Sequence, residues 1–146
     1  MKKMMILLAG LLVMSTAIAR ADNDKAVTID QLPQTAQQFI QKYFPSEKVA
    51  YAKMERDFLE TRYEVVFTSS RKVEFLKNGE WKEVDCRYSA VPEGIVPEQI
   101  MNKIKELYPE ATVLEIDRDK YDYEVKLSNR MELTFDLRFN LIDMDD

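Results

Sequence analysis

The 146-residue chain contains no histidine. That absence removes Ser-His-Asp and Cys-His nucleophile arrangements, the commonest general base and the commonest zinc ligand. One cysteine, Cys86, permits no internal disulfide and, with no histidine, comes close to excluding a structural zinc site. Its flanks, Val84-Asp85-Cys86-Arg87-Tyr88, place it near a strand end, where a small buried hydrophobe is its expected role. With only three glycines there is no Gly-rich phosphate loop, no GxSxG elbow, and no basic patch interleaved with aromatics. No cofactor, no metal site and no catalytic residue is expected on these grounds.

What is present begins with a leader. Lys2-Lys3 precede an apolar run from Met4 to Met14 and then small residues ending in Ala17-Ile18-Ala19 and Ala19-Arg20-Ala21. This is the order of a secretory signal peptide over residues 1–21, with an apolar core too short to span a bilayer. Cleavage after Ala21 is preferred to cleavage after Ala19, since it leaves the acidic, mobile-looking Asp22-Asn23-Asp24 at the mature start. An uncleaved N-terminal anchor is the competing reading. No cysteine follows the run, so a lipoprotein anchor is unsupported. Cleavage takes Lys2, Lys3 and Arg20 from the 21 basic residues and none of the 26 acidic ones, leaving a net charge of −8. Such a chain is repelled by nucleic acid and by anionic headgroups. A periplasmic or secreted protein follows, with no nucleic-acid partner and no stable membrane insertion after cleavage.

The mature chain reads as one pattern used twice. Pro33 opens a helix with Ala36, Phe39, Ile40 and Tyr43 on one face, and Phe44-Pro45 closes it. A strand over Val49 to Arg56 follows, then a three-stranded meander. Tyr63-Glu64-Val65-Val66-Phe67 and Lys72-Val73-Glu74-Phe75-Leu76 alternate apolar and charged residues, and Asn78-Gly79 leads into Trp81-Lys82-Glu83-Val84. Both Asn78 and Gly79 tolerate the positive φ of a tight hairpin turn. Pro97 to Pro109 repeats Pro33 to Pro45 at an offset of 64, with Ile100, Met101, Ile104, Leu107 and Tyr108 as its apolar stripe. Tyr123-Glu124-Val125-Lys126-Leu127, Leu133-Thr134-Phe135 and Leu141 repeat the meander at an offset of 60. The expected organisation is a first repeat over 22–86, a connector over 87–94 and a second repeat over 95–146. Two helices on one face of an antiparallel sheet of roughly eight strands make an α+β fold with an open face. Asn129 and Asn140 are expected to serve the glycine-free turns of the second copy, and the tail from Asp143 to Asp146 to fray.

The open face is where function is expected. Glu64 and Glu124 hold equivalent positions, and paired carboxylates are what glycoside hydrolysis needs, although cross-strand charge pairing is the simpler role. Asp117-Arg118-Asp119-Lys120-Tyr121-Asp122 spaces acids like the start of a calcium loop. Asp122 stands where glycine is required, so a solvated charged hairpin is expected, with a weak surface cation site as the alternative. Tyr51, Tyr63, Phe67, Phe75, Trp81, Tyr121, Tyr123 and Phe135 fall on or beside strands, and most of them are expected in the core. Trp81 stands apart because its strand reads with either face inward; facing outward beside Glu83 and Asp85, it would anchor a partner. The expected contact residues are Arg62, Glu64, Glu74, Trp81, Glu124 and Lys126.

The leader, the Leu32-Pro33 to Phe44-Pro45 helix, Tyr63-Glu64-Val65, Lys72-Val73-Glu74-Phe75 and Asn78-Gly79-Glu80-Trp81-Lys82-Glu83-Val84 together resemble the PepSY-like periplasmic family of Bacteroides and its relatives. The resemblance runs over about residues 29–144. It implies tandem helix-plus-meander units, a fold similar to beta-lactamase-inhibitor protein, and a bacterial periplasmic address. Ser69-Ser70, Arg130 and Phe139 depart from it, standing where the family tends to carry turn glycine. It implies no enzyme activity and carries over no catalytic motif. The expected function is therefore a non-enzymatic binding module for a protein or peptide, acting as an inhibitor or modulator of an envelope protein. Its alternatives are a small-ligand carrier or sensor with a pocket between helices and sheet, and, remotely, a carboxylate-dependent hydrolase.

Overall fold

The computed structural model describes residues 24–146. The expected signal peptide and its two candidate cleavage sites lie outside the described residues. One antiparallel sheet of nine strands runs in strict chain order: β1 (Asp24–Val27), β2 (Val49–Arg56), β3 (Thr61–Phe67), β4 (Lys72–Leu76), β5 (Trp81–Asp85), β6 (Val113–Arg118), β7 (Asp122–Leu127), β8 (Glu132–Asp136) and β9 (Leu141–Asp145). Two helices cover one face, α1 (Gln34–Tyr43) before β2 and α2 (Glu98–Leu107) between β5 and β6. The α+β fold is the expected one, with two corrections at its ends. Asp24 is the first residue of β1, which pairs with β2 from Asp24↔Glu55 to Val27↔Ala52. The C-terminal tail is likewise paired, with Met144 opposite Leu133 and Asp145 opposite Glu132. Short strands of low apolar content are held here by ladder bonds to a neighbour, a signal that alternation alone does not carry.

Alternation does decide the interior. Val65, Phe67, Val73, Phe75, Val84, Ile116, Val125, Leu127, Leu133 and Phe135 lie under the helices, with Ala36, Ile40, Ile100 and Ile104 pressing down on them. Phe44 stacks on Phe67 at 5.0 Å and Phe39 meets Phe75 edge-on at 5.6 Å. Cys86 is buried among them, and burial raises its thiol pKa, as expected of a packing residue. Of the eight strand aromatics most are in or against the core, as expected; Tyr51 and Tyr121 are the two whose side chains stand in solvent.

The turns of the two halves share their hydrogen bonds. Phe67 N–H donates to Arg71 O and Leu127 N–H to Met131 O; Leu76 N–H donates to Glu80 O and Asp136 N–H to Asn140 O. At these four turns the positive φ falls on Ser70, Gly79, Arg130 and Phe139. The asparagines do a different job from the one expected. Asn78 and Asn129 use Oδ1 to accept the N–H of the residue two further on, while Asn140 donates to Asp136. A tight turn followed by one left-handed residue relieves Asn of the positive φ and places it on whatever residue comes next.

Candidate functional site

The face of the sheet away from the helices is paved with carboxylates, and strand register explains their order. From β2 to β9 a single row of cross-strand partners reads Lys53, Glu64, Glu74, Glu83, Asp117, Glu124, Thr134, Asp143. The next row reads Lys72, Asp85, Glu115, Lys126, Glu132, Asp145. Like charges directly opposite one another are destabilising, so each stretch of acid needs a cation inserted from the side. Lys53 lies 3.3 Å from Glu64 and Lys72 lies 3.7 Å from it; Arg62 reaches Glu74 at 3.2 Å and also holds Glu60. Lys126 meets Glu115 at 3.0 Å, and Lys82 meets Asp117 at 3.1 Å. Partial burial opposes the charge on Lys53, but the hydrogen bonds it donates to Glu55 and Glu64 raise its pKa overall.

Five of the six expected contact residues, Arg62, Glu64, Glu74, Glu124 and Lys126, therefore share this face. Trp81 does not. A bulge between the pairs Glu74↔Glu83 and Phe75↔Trp81 inserts Lys82 and turns the indole under α1, opposite Phe75. Register slips of one residue exchange faces, so Trp81 is inside while Glu83 and Asp85 remain outside. Glu64 and Glu124 do not form a catalytic pair. They stand on β3 and β7, four strand spacings or roughly 19 Å apart along the sheet, beyond the ~5–10 Å that glycoside hydrolysis uses.

The hairpin from Asp117 to Asp122 also holds no cation loop. Asp119 Oδ1 is occupied by the N–H groups of Tyr121 and Asp122, at 2.7 and 3.0 Å, and Asp117 is taken by Lys82. The carboxylates that converge are elsewhere, on the seam where β5 meets β6. That seam has three register pairs, Glu83↔Asp117, Val84↔Ile116 and Asp85↔Glu115, and two of the three set acid against acid. Oxygens of Glu83, Asp85 and Glu115 lie within 4.8 Å of one another. Burial, assisted by Glu115 and Glu74 and opposed by Lys72, pushes Glu83 up to about 7. Burial also raises Glu115, against the pull of Lys126. Reading each strand separately could not find this group, because it appears only when the connector and α2 are folded away and β5 lies beside β6.

The model of the family described as "Putative beta-lactamase-inhibitor-like, PepSY-like" matches residues 20–60 and 61–143. The chain belongs to this PepSY-like family. Solved structures similar to it include three periplasmic proteins of Bacteroides. A protein of Bacteroides thetaiotaomicron described as a "putative calcium-regulated periplasmic protein" is 58% identical, with a TM-score of 0.84 over 86% of this chain and 99% of its own. A periplasmic protein of Bacteroides vulgatus is 54% identical over the same shares, again with a TM-score of 0.84. A second one from that organism, of unknown function, is 33% identical with a TM-score of 0.80, over 84% of this chain and 99% of its own. No curated protein matches. The PepSY-like chain is periplasmic, as its relatives are, and no helix among the described residues is long and apolar enough to cross a membrane.

Proposed function

We propose that this PepSY-like chain is a non-enzymatic periplasmic binding module, built from two helix-plus-meander units, whose working surface is the open acidic sheet face. The partner is a protein or peptide with a basic surface, and the module modulates that partner by covering it. Calcium controls the face by binding Glu83, Asp85 and Glu115. The observation that carries this reading is the like-charge register of the β5–β6 seam, where three carboxylates stand within 4.8 Å of one another. A relative that is 58% identical is described as "putative calcium-regulated", which supports calcium as the ion. Calcium takes carboxylate oxygens in flexible geometry and tolerates incomplete protein ligation completed by water. Bound at the seam, it converts repulsion between the two units into a bridge, and it changes the charge presented to a partner.

Calorimetric titration of the chain from Asp22 onward with calcium chloride tests the regulation. Saturable binding is expected, at least tenfold weaker in Asp85→Asn and Glu115→Gln and unchanged in Glu124→Gln. Absence of heat and of thermal stabilisation at millimolar calcium would refute it. Asp85→Asn and Glu115→Gln should also unfold no earlier than wild type without calcium, since each removes repulsion.

A further inference from the structure

A second site lies on the opposite side of the sheet, where the edge of α1 meets β5 and β6. A groove of about 250 Å³ opens there, walled by Phe39, Tyr43 and Trp81 and carrying the cations Lys42 and Arg118. The three rings are close neighbours: Phe39 is 4.8 Å from Tyr43 and 6.4 Å from Trp81 between centroids. The Arg118 guanidinium lies over the indole, 3.9 Å from the ring centroid, and donates its Nε–H to Trp81 O at 2.8 Å. That fixes the guanidinium while leaving its terminal N–H groups without a protein acceptor among the described residues. Lys42 stands over the Tyr43 ring at 5.1 Å, and neither cation forms an ion pair among the described residues. Glu80 is the one carboxylate on the groove's wall.

We propose that this groove binds a carboxylate carried on an apolar group, of the kind presented by the C-terminal aromatic residue of a peptide. A guanidinium seated over a ring and hydrogen-bonded at Nε is held in place for a fork of two bonds to a carboxylate, and Lys42 adds a second charge. The volume suits a single aromatic side chain, which would lie on Phe39, Tyr43 and Trp81. The inference does not rest on the open-face reading, since groove and acidic face are separated by the sheet.

Trp81 is the chain's only tryptophan, so its fluorescence reports occupancy directly. The probes are N-acetyl-L-phenylalanine, its primary amide, and 3-phenylpropionate, titrated into the chain from Asp22 onward. The acid should give a saturable change, and the amide should bind about tenfold more weakly or worse, as loss of a charged hydrogen bond implies. Preference for the N-acetyl amino acid over 3-phenylpropionate identifies a peptide end as the source, and equal binding identifies a free aromatic acid; both support the site. Lys42→Gln should weaken the acid severalfold, Glu80→Gln should tighten it, and Lys105→Gln on α2 should change nothing. Amide-resonance shifts in a nitrogen-15 spectrum, confined to α1 and the β5–β6 end, check that the response is local. Equal affinity for acid and amide, no saturable binding of either, or an unaltered Lys42→Gln would overturn the proposal.

Discussion

At the scale of single residues, backbone conformation limits what can be changed. Gly79 sits at φ +90, and a Cβ there would lie 2.9 Å from Pro33 Cβ, 3.0 Å from Thr35 Cβ and 3.1 Å from Ala36 N. Its turn is tucked beneath the start of α1, so the position excludes a side chain on both conformational and steric grounds. Gly79→Ala is expected to cost about 1–3 kcal/mol in urea unfolding, with loss of the α1 contacts. Arg130 has φ 73 and is exposed, so strain is present there without a packing role. Arg130→Gly should stabilise by about 0.5–1 kcal/mol, the relief of a left-handed side chain exceeding the added chain entropy. Phe139 also has a positive φ, but its ring packs 5.6 Å from Tyr123, and the same exchange there should not gain. Turn positions were thus readable in the sequence, and Gly79 takes the positive φ expected of its pair; in the second copy Arg130 and Phe139, not the asparagines beside them, take the left-handed conformation. Trp81 shows why orientation was harder to read than identity: one bulged residue, Lys82, moves the indole from one face to the other.

At the scale of elements, the β5–β6 seam is where electrostatics oppose the fold. Its two acid pairs join the part of the sheet under α1 to the part under α2. Glu83 has an ordinary pKa of 4.5 in the unfolded chain and about 7 in the fold. Between those values the native state holds a proton that the unfolded state has released, so stability falls as pH rises through that window. Below pH 4.5 both states are protonated and Glu83 contributes no dependence. Glu83→Gln should therefore raise the urea midpoint at pH 8 and leave it nearly unchanged at pH 4. An equal shift at both values would mean that packing, not charge, sets the effect. Because calcium requires the ionised carboxylates, its affinity should fall as pH drops below about 7. The strands and helices that create this seam were legible from their periods and prolines. Their adjacency was not, because β5 and β6 are separated by the whole connector and α2.

At the scale of the whole molecule, nine strands in chain order present one continuous face, and charge on that face is ordered by register. Alternation in the sequence predicted a wet side and a dry side, and the core follows it closely from Val65 to Phe135. The wet side's acid row was not legible, since it depends on which strand lies beside which. An acidic surface stabilised by intercalated Lys53, Arg62, Lys72 and Lys126 suits a basic partner, which would replace intramolecular pairs with intermolecular ones. Its binding should weaken steeply as salt is raised from 50 to 300 mM, about as far as screening of exposed charge allows. The most direct test is capture with the chain from Asp22 onward immobilised and envelope extract passed over it, with calcium and with chelator. A parallel column carries the same chain with Glu64, Glu74 and Glu124 all changed to Lys. The account predicts one stoichiometric protein on the wild-type column, competed off by free chain, altered in amount by calcium and absent from the variant. Equal retention by the variant, after its circular dichroism and urea midpoint are shown to match a folded chain, would contradict it.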